Sequence, residues 1–341
     1  MIDNQKTICI FGGTGAVGIT ASRILSKLGY FLKIGVRNIE IAKNIDVYTN
    51  PNIQLFEFDI DKENNIREFL KGSDLVIGAI GPSVDYSEKM LLEVMEENIP
   101  YIDPGGIHLV KKMSKSDIKS TVIVGAGIFP GLSGWILSSV LRETVNDSLT
   151  EMVIGGIYNF SKAAAIDYLE EIKSYEAGVP MACVRKGKII PAQKRRPQNL
   201  PKEVSELVVF PYVTEEIQEI IQRKNLLNID SYTAAPASLF SIVNNVYDKK
   251  SDLVEALVEQ KNRSQKAFIW IRQNIGSDSR CVYFEGENPS ILTGEILAIT
   301  ANAIFEIPRK NGIYTMASYL MQYQLLNELK KIDEFKFRGE I

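Results

Sequence analysis

His108 is the chain's single histidine, and Asp103 stands shortly before it. An imidazole, with a reference pKa of about 6.5, can pass a proton to a developing amine or orient an imine nitrogen near neutral pH. It can equally be an ordinary histidine of a surface loop. Asp103 could fix a substrate ammonium, or cap a helix beginning near residue 107. A second pair, Tyr158-Asn-Phe-Ser-Lys162, has the spacing Tyr-x-x-x-Lys. With both side chains on one helical turn, the lysine would lower the tyrosine pKa and make the phenol a general acid. Met152-Val-Ile-Gly-Gly-Ile-Tyr158 reads instead as a strand ending at Tyr158, with Ser161 a natural N-cap for a helix starting at Lys162.

The glycines carry a different chemistry. Ile8-Cys-Ile-Phe-Gly-Gly-Thr-Gly-Ala-Val-Gly18 is an apolar strand running into Gly13-x-Gly15-x-x-Gly18, or, one residue wider, Gly12-x-x-Gly15-x-x-Gly18. Val17, Ala21, Ile24 and Leu28 then recur at helical spacing, and Gly29 stops the helix. In such a strand–turn–helix, Gly13 permits the tight turn, Gly15 removes the Cβ where a pyrophosphate approaches, and Gly18 lets helix pack on strand. The helix N-terminus offers free N–H groups to the phosphates. An NAD site places Asp or Glu at the end of the second strand, about 20 residues on. Here Phe31-Leu-Lys-Ile-Gly-Val-Arg37 ends on arginine, with no acid before Glu40. A guanidinium forks onto a 2′-phosphate that a carboxylate would repel, so NADP is expected. The expected cofactor contacts are Gly12, Gly13, Thr14, Gly15, Ala16 and Val17, with Arg37, Asp59 and the Gly81-Pro82 turn.

These residues need a two-lobed scaffold to position them. With 341 residues the chain exceeds one small core. A formal charge of −3 with scattered Lys and Arg gives no electrostatic case for nucleic acid. No apolar run is long enough to span a bilayer, and the first residues lack a signal peptide's layout, so a cytoplasmic protein is expected. Cys9, Cys183 and Cys281 read as buried reduced thiols, and one histidine without clustered cysteines argues against structural zinc. Strand and helix signals alternate to about residue 147, predicting an α/β fold with a Rossmann-type doubly wound parallel sheet. Its strands include Gln54–Asp59, Leu75–Ile80, Tyr101–Asp103 and Thr121–Val124, with a helix over Leu132–Val145.

Past residue 148 the pattern becomes α+β. Glu151–Asn159 alternates like an antiparallel strand, and Met181–Ile190 reads as a hairpin turning at Lys186-Gly-Lys188. Glu215–Lys224 and Ser238–Lys261 read as helices, and Ala267–Gln273 pairs plausibly with Arg280–Glu285. The basic stretch Arg185–Arg196 reads as a solvated loop, or as a clamp for a substrate carboxylate or a carrier protein's acidic surface. From Gly294 the chain turns helical, and Tyr314–Ile332 could pack back on the first domain. The expected domains are residues 1–133, an NADP-binding domain to which 294–341 return, and 134–293, an inserted substrate and dimerisation domain.

Three segments together resemble the saccharopine dehydrogenase-like family of NAD(P) oxidoreductases. They are Phe11-Gly-Gly-Thr-Gly-Ala-Val-Gly18, Ile80-Gly-Pro82 with Tyr101-Ile-Asp-Pro-Gly105, and Gly125-Ala-Gly-Ile-Phe-Pro-Gly-Leu-Ser133. Thr293-Gly-Glu-Ile-Leu-Ala-Ile-Thr-Ala301 with Gly312-Ile-Tyr314 is a fainter match. The resemblance implies hydride addition to an imine of an amino-acid-derived substrate, and a homodimer joined through the second lobe. Some relatives act in trans on carrier-protein-tethered intermediates of secondary metabolism, a second possibility. The Tyr158/Lys162 pair keeps open a short-chain-dehydrogenase-like reductase, although the asparagine-rich turn of such enzymes is replaced by Gly81-Pro82. A non-catalytic NADP sensor is the alternative outside enzymology, and the presence of a whole second lobe argues against it.

Overall fold

The computed structural model describes residues 5–62, 66–114, 117–141, 148–173, 178–194, 196–197, 200–223, 228–245, 249–262, 264–275, 278–331 and 335–339. The chain divides into two compact units, Met1–Leu132 with Ser290–Glu328 and Ser133–Pro289 with Leu329–Ile341. In the first unit β1 (Thr7–Phe11), β2 (Phe31–Val36), β3 (Ile53–Glu57), β4 (Leu75–Gly78), β5 (Tyr101–Ile102) and β6 (Thr121–Val124) alternate with helices. A seventh strand, Gly312–Thr315, joins them to give the order Gly312–Thr315, β6, β5, β4, β1, β2, β3, all parallel. This is a Rossmann-type sheet. The strand order reverses between β1 and β4, and in open α/β sheets that reversal marks the ligand crevice.

The sequence explains why β1 is held firmly at its end. Phe11, the last strand residue, packs against Phe58 and Phe69 with ring centroids 5.2 and 5.3 Å away, and all three rings are buried. Such offset aromatic contacts add to the area they bury. The helix Ala16–Lys27 is gripped from the other side by Pro289–Glu306. A Cβ on Gly294 would lie only 2.7 Å from the Val17 carbonyl oxygen, so the two helices approach to near backbone contact there.

The second unit is built on a mixed sheet. β7 (Leu149–Ile157), β8 (Gly178–Pro180), β9 (Ala182–Arg185), β10 (Lys188–Pro191), β11 (Val208–Thr214), β12 (Asn228–Ala235), β13 (Lys266–Ile275) and β14 (Asp278–Glu287) come in chain order. With Phe335–Arg338 they form the path β10, β9, β12, β7, β13, β14, Phe335–Arg338, while β11 pairs with β12 and β8. The hairpins β9–β10 and β13–β14 match their sequence patterns.

Several expectations are corrected. β7 is antiparallel to β13 but parallel to β12, because side-chain alternation is the same in either direction. Strand β4 stops at Gly78, before the turn, rather than at Ile80. The helix after β6 is described over Leu132–Val140, and residues 142–147 lie outside the described residues, as does Lys224 at the end of Glu215–Arg223. Tyr314 belongs to a strand, not a helix: Gly312–Thr315 finds hydrogen-bond partners along the open edge of β6. The end of the chain does not return with the rest of 294–341, since Phe335–Arg338 pairs antiparallel with β14 in the second unit. Cys9 and Cys183 are buried, whereas Cys281 is exposed, on a strand with a single-strand edge beyond it. Among the described residues no helix is long and apolar enough to cross a membrane, and no group of three His, Cys, Asp or Glu could hold a metal ion.

Candidate active site

The loop after β1 is defined by how closely its glycines are packed. Gly12 has φ +78°, and a Cβ there would meet the Ala79 carbonyl oxygen at 2.4 Å. Gly12, rather than Gly13, therefore makes the turn. The Ala79 N–H donates to the Phe11 carbonyl at 3.0 Å, so the ends of β1 and β4 are joined at the sheet's switch point. Gly13 is required for closeness: its Cβ would fall 2.0 Å from Ile34 Cγ2. Gly18 is needed because a Cβ would sit 2.5 Å from the Gly12 carbonyl, which packs the helix on the loop rather than on the strand.

Gly15 differs from all three. A Cβ there would meet only the Gly12 oxygen, at 3.6 Å, an ordinary contact. Protein packing does not demand this glycine. What its missing side chain leaves is open space directly at a helix N-terminus, beside the exposed Thr14 and Ala16. Gly15 is the N-cap, gives no side-chain cap, and no acid lies in the first turn. The first N–H groups and the positive end of the helix dipole are thus presented to an anion, and a pyrophosphate fits this cradle.

Arg37 immediately follows β2 and is exposed. Asn38 beside it caps the short helix Ile39–Ala42 by accepting from the Ile41 N–H at 3.0 Å. The guanidinium lies near Asp61, whose carboxylate accepts from Lys89 Nζ at 2.9 Å and from the Tyr86 hydroxyl at 2.8 Å. Lys89 first, then Tyr86, holds the Asp61 carboxyl below its ordinary value. Asp59 takes a hydrogen bond from the Asp61 N–H at 3.2 Å and an ion pair from Lys62 at 3.2 Å, which likewise lower its pKa.

The loops beyond β4, β5 and β6 interlock. A Cβ on Gly105 would be 2.4 Å from Ser83 Cβ, just past Gly81-Pro82. The Gly125 N–H donates to the Gly105 carbonyl at 2.8 Å, and Ala126 N–H to the Asp103 carbonyl at 2.9 Å. In the Gly125–Ser133 motif, Gly131 has φ +128° and its Cβ would be 2.3 Å from the Gly127 oxygen. The motif is thereby a tight turn at the end of β6. Asp103 is buried and accepts from the Tyr101 hydroxyl at 2.6 Å and the Gly105 N–H at 2.7 Å. It caps no helix near residue 107. The N-cap of Leu109–Lys112 is His108, whose carbonyl accepts from Lys111 and Lys112 N–H at 3.2 Å. The imidazole is half-buried and caps nothing.

Residues 4–97 match the NmrA-like family. A 3-oxoacyl-[acyl-carrier-protein] reductase of Mus musculus is 24% identical over 172 residues, spanning 47% of this chain and 68% of that protein. Among solved structures, saccharopine dehydrogenase (L-Glu forming) from Saccharomyces cerevisiae superposes with a TM-score of 0.65 over 98% of this chain and 100% of that one, at 10% identity. The chain has the saccharopine dehydrogenase fold. An engineered D-amino acid dehydrogenase gives a TM-score of 0.47 at 14% identity, over 97% of this chain and 100% of that one.

In the second unit, Tyr158 and Lys162 do not share a helical turn. β7 ends at Ile157, and the helix begins at Lys162 with the Ser161 hydroxyl accepting from Ala164 N–H at 3.2 Å. The Tyr158 ring instead meets Phe160 edge-on, centroids 6.1 Å apart. The basic stretch is corrected at its start: Arg185 is on β9 and forms a 2.6 Å ion pair with the buried Asp230 of β12. Arg196 donates to the Ser205 carbonyl at 2.7 Å, and Arg195 lies outside the described residues.

Sequence reasoning missed Tyr48. On a single turn of 3-10 helix, Asp46–Thr49, it is buried and its hydroxyl donates to the Gly13 carbonyl. No local spacing signals a contact across 35 positions of chain.

Proposed function

We propose that this chain is an NADP-dependent oxidoreductase that reduces the C=N bond of an amino-acid-derived substrate. The observation that carries the cofactor reading is Gly15, whose absent side chain leaves room at a helix N-terminus where protein packing has no use for it. Thr14, Gly15, Ala16 and Val17 would hold the pyrophosphate. Arg37 would take the 2′-phosphate, with Lys89 offsetting the charge of nearby Asp61. Bound there, the dinucleotide supplies the hydride; the protein positions the substrate and supplies a proton. His108 is the candidate for that proton, because it stands in the turn after β5, among the interlocked loops at the sheet's carboxyl edge. Asp103 acts on the loop: its carboxylate fixes the Gly105 N–H and so sets the carbonyl that receives Gly125. The likeness to saccharopine dehydrogenase (L-Glu forming) supports an amino-acid-derived substrate.

Titration with NADPH and NADH, followed by NADPH oxidation in mixtures of a 2-oxo acid and a primary amine, tests the reading. Saturable binding with NADPH preferred, and turnover that needs both carbonyl and amine, is the expected result. Preference for NADH would remove Arg37 from the assignment. Tight binding without turnover across the panel would favour a sensor. The mouse relative favours a second reading, reduction of a carrier-protein-tethered acyl substrate. Turnover with an acyl-carrier thioester but with no imine would select it.

A further inference from the structure

We propose that Tyr48 is a positioning residue for the dinucleotide, acting through the peptide between Gly13 and Thr14; the inference rests on the cofactor site described above. The Tyr48 hydroxyl donates to the Gly13 carbonyl from the buried side of the loop. The Gly13 N–H is engaged on the same side, with the Gly35 carbonyl of β2 at 3.4 Å. Ile34 Cγ2 closes the remaining space, since a Cβ on Gly13 would lie 2.0 Å from it and 3.0 Å from the Tyr48 oxygen. In a planar trans peptide, C=O and the next N–H point in opposite directions. Holding the Gly13 oxygen inward therefore turns the Thr14 N–H outward, to the side on which Thr14, Gly15 and Ala16 are exposed. That is the side on which Gly15 leaves room at the helix N-terminus.

The hydroxyl is suited to a permanent donor's task. Burial pushes its pKa up to about 12, which keeps it a donor near neutral pH. The bond is made between protein groups alone, so the fold itself orients the Thr14 N–H. Preorganised donors lose less freedom when the ligand binds.

Tyr48→Phe keeps the ring and removes the hydroxyl, and with it the bond to Gly13 and the contact with Ser22. The Gly13–Thr14 peptide is then free to rotate, and the N–H aimed at the phosphates is no longer fixed. Affinity for NADPH and NADH should each fall roughly ten-fold, within the range for losing one buried hydrogen bond. The ratio between the two cofactors should stay unchanged, since they share the pyrophosphate. The thermal midpoint without cofactor should also fall, because the buried Gly13 carbonyl loses its donor, so affinities are compared at a temperature where both proteins are folded. A purely structural role predicts the lower midpoint alone, with wild-type affinity in the folded protein. That outcome would overturn the proposal, as would an effect on NADPH alone. If wild-type protein binds neither cofactor, the cofactor site falls and this inference with it. If wild type binds and Tyr48→Phe binds equally well, only the positioning role falls.

Discussion

Gly15→Val separates the demands of the fold from those of the ligand. At Gly15 the backbone is extended, φ −80° and ψ 156°, a conformation open to any L-residue. The first added carbon would find only the Gly12 oxygen, at 3.6 Å. The valine should therefore cost the unbound protein little. Replacing an N-cap glycine by valine loses about 0.5–1.5 kcal/mol of capping preference, and the stiffer chain returns about 0.4–1 kcal/mol through the unfolded state. The opposite holds for Gly12→Ala, where φ +78° and a 2.4 Å approach to the Ala79 oxygen leave no unstrained solution. Binding is where Gly15→Val should act. Its branched carbons would occupy the space in front of the first-turn N–H groups and displace a phosphate from at least one charge-assisted bond. Each such bond is worth about 1.5–3 kcal/mol, or roughly ten- to hundred-fold in affinity. Circular dichroism melts and NADPH titration on the same preparation measure both sides. A variant that melts like wild type and binds NADPH like wild type would place the phosphates elsewhere and refute the argument.

Arg37→Asp should weaken NADPH roughly ten- to hundred-fold and NADH far less, because only the first carries a 2′-phosphate; equal weakening in titration would mean the arginine is a solvated surface charge. Tyr158→Phe should retain most turnover, since its phenol is not on a helical turn with Lys162, whereas loss of a true general acid costs about 10²–10⁴-fold. His108→Asn should lower turnover, and a collapse in Tyr158→Phe with His108→Asn unaffected would move the chemistry to the second unit. Arg185→Met should destabilise the second unit by about 3–5 kcal/mol in urea unfolding, because it strands the Asp230 carboxylate, whose side chain is 1% exposed. A loss below about 1 kcal/mol would show that Asp230 finds another partner or a proton.

What was legible in the sequence is what consecutive residues decide together. Strand, glycine turn and helix succeed one another between Thr7 and Lys27, so the candidate phosphate loop could be read directly. The assignment of roles within it could not. Gly12 and Gly13 are adjacent and identical in sequence, and only the closeness of the Ala79 carbonyl and of Ile34 shows which one turns and which one merely yields space. Arg185 reads as one charge in a basic run; the pairing of β9 beside β12 is what brings Asp230 to it and buries the bond. The terminal Phe335-Lys-Phe-Arg338 has a strand's alternation, but the partner it needs is β14, about fifty positions earlier in the chain.

Asp103 shows the intermediate case, where the information was local but pointed at the wrong neighbours. Residues two apart on an extended chain share a face, so Tyr101 and Asp103 were always candidates for each other. Their 2.6 Å bond is made with Tyr101 fully buried, and burial together with the adjacent carboxylate drives the phenol pKa well above its ordinary value. The phenol therefore remains a donor, and one carboxylate oxygen is committed to it. The other accepts the Gly105 N–H and closes the turn. The carboxylate thus has a partner for each oxygen inside the turn. Its contribution is to hold the turn whose Gly105 carbonyl anchors Gly125 and which leads into His108. Of the two groups from which the acid–base reading began, the carboxylate is held by the turn's own hydrogen bonds and the imidazole, five residues on, is half-buried.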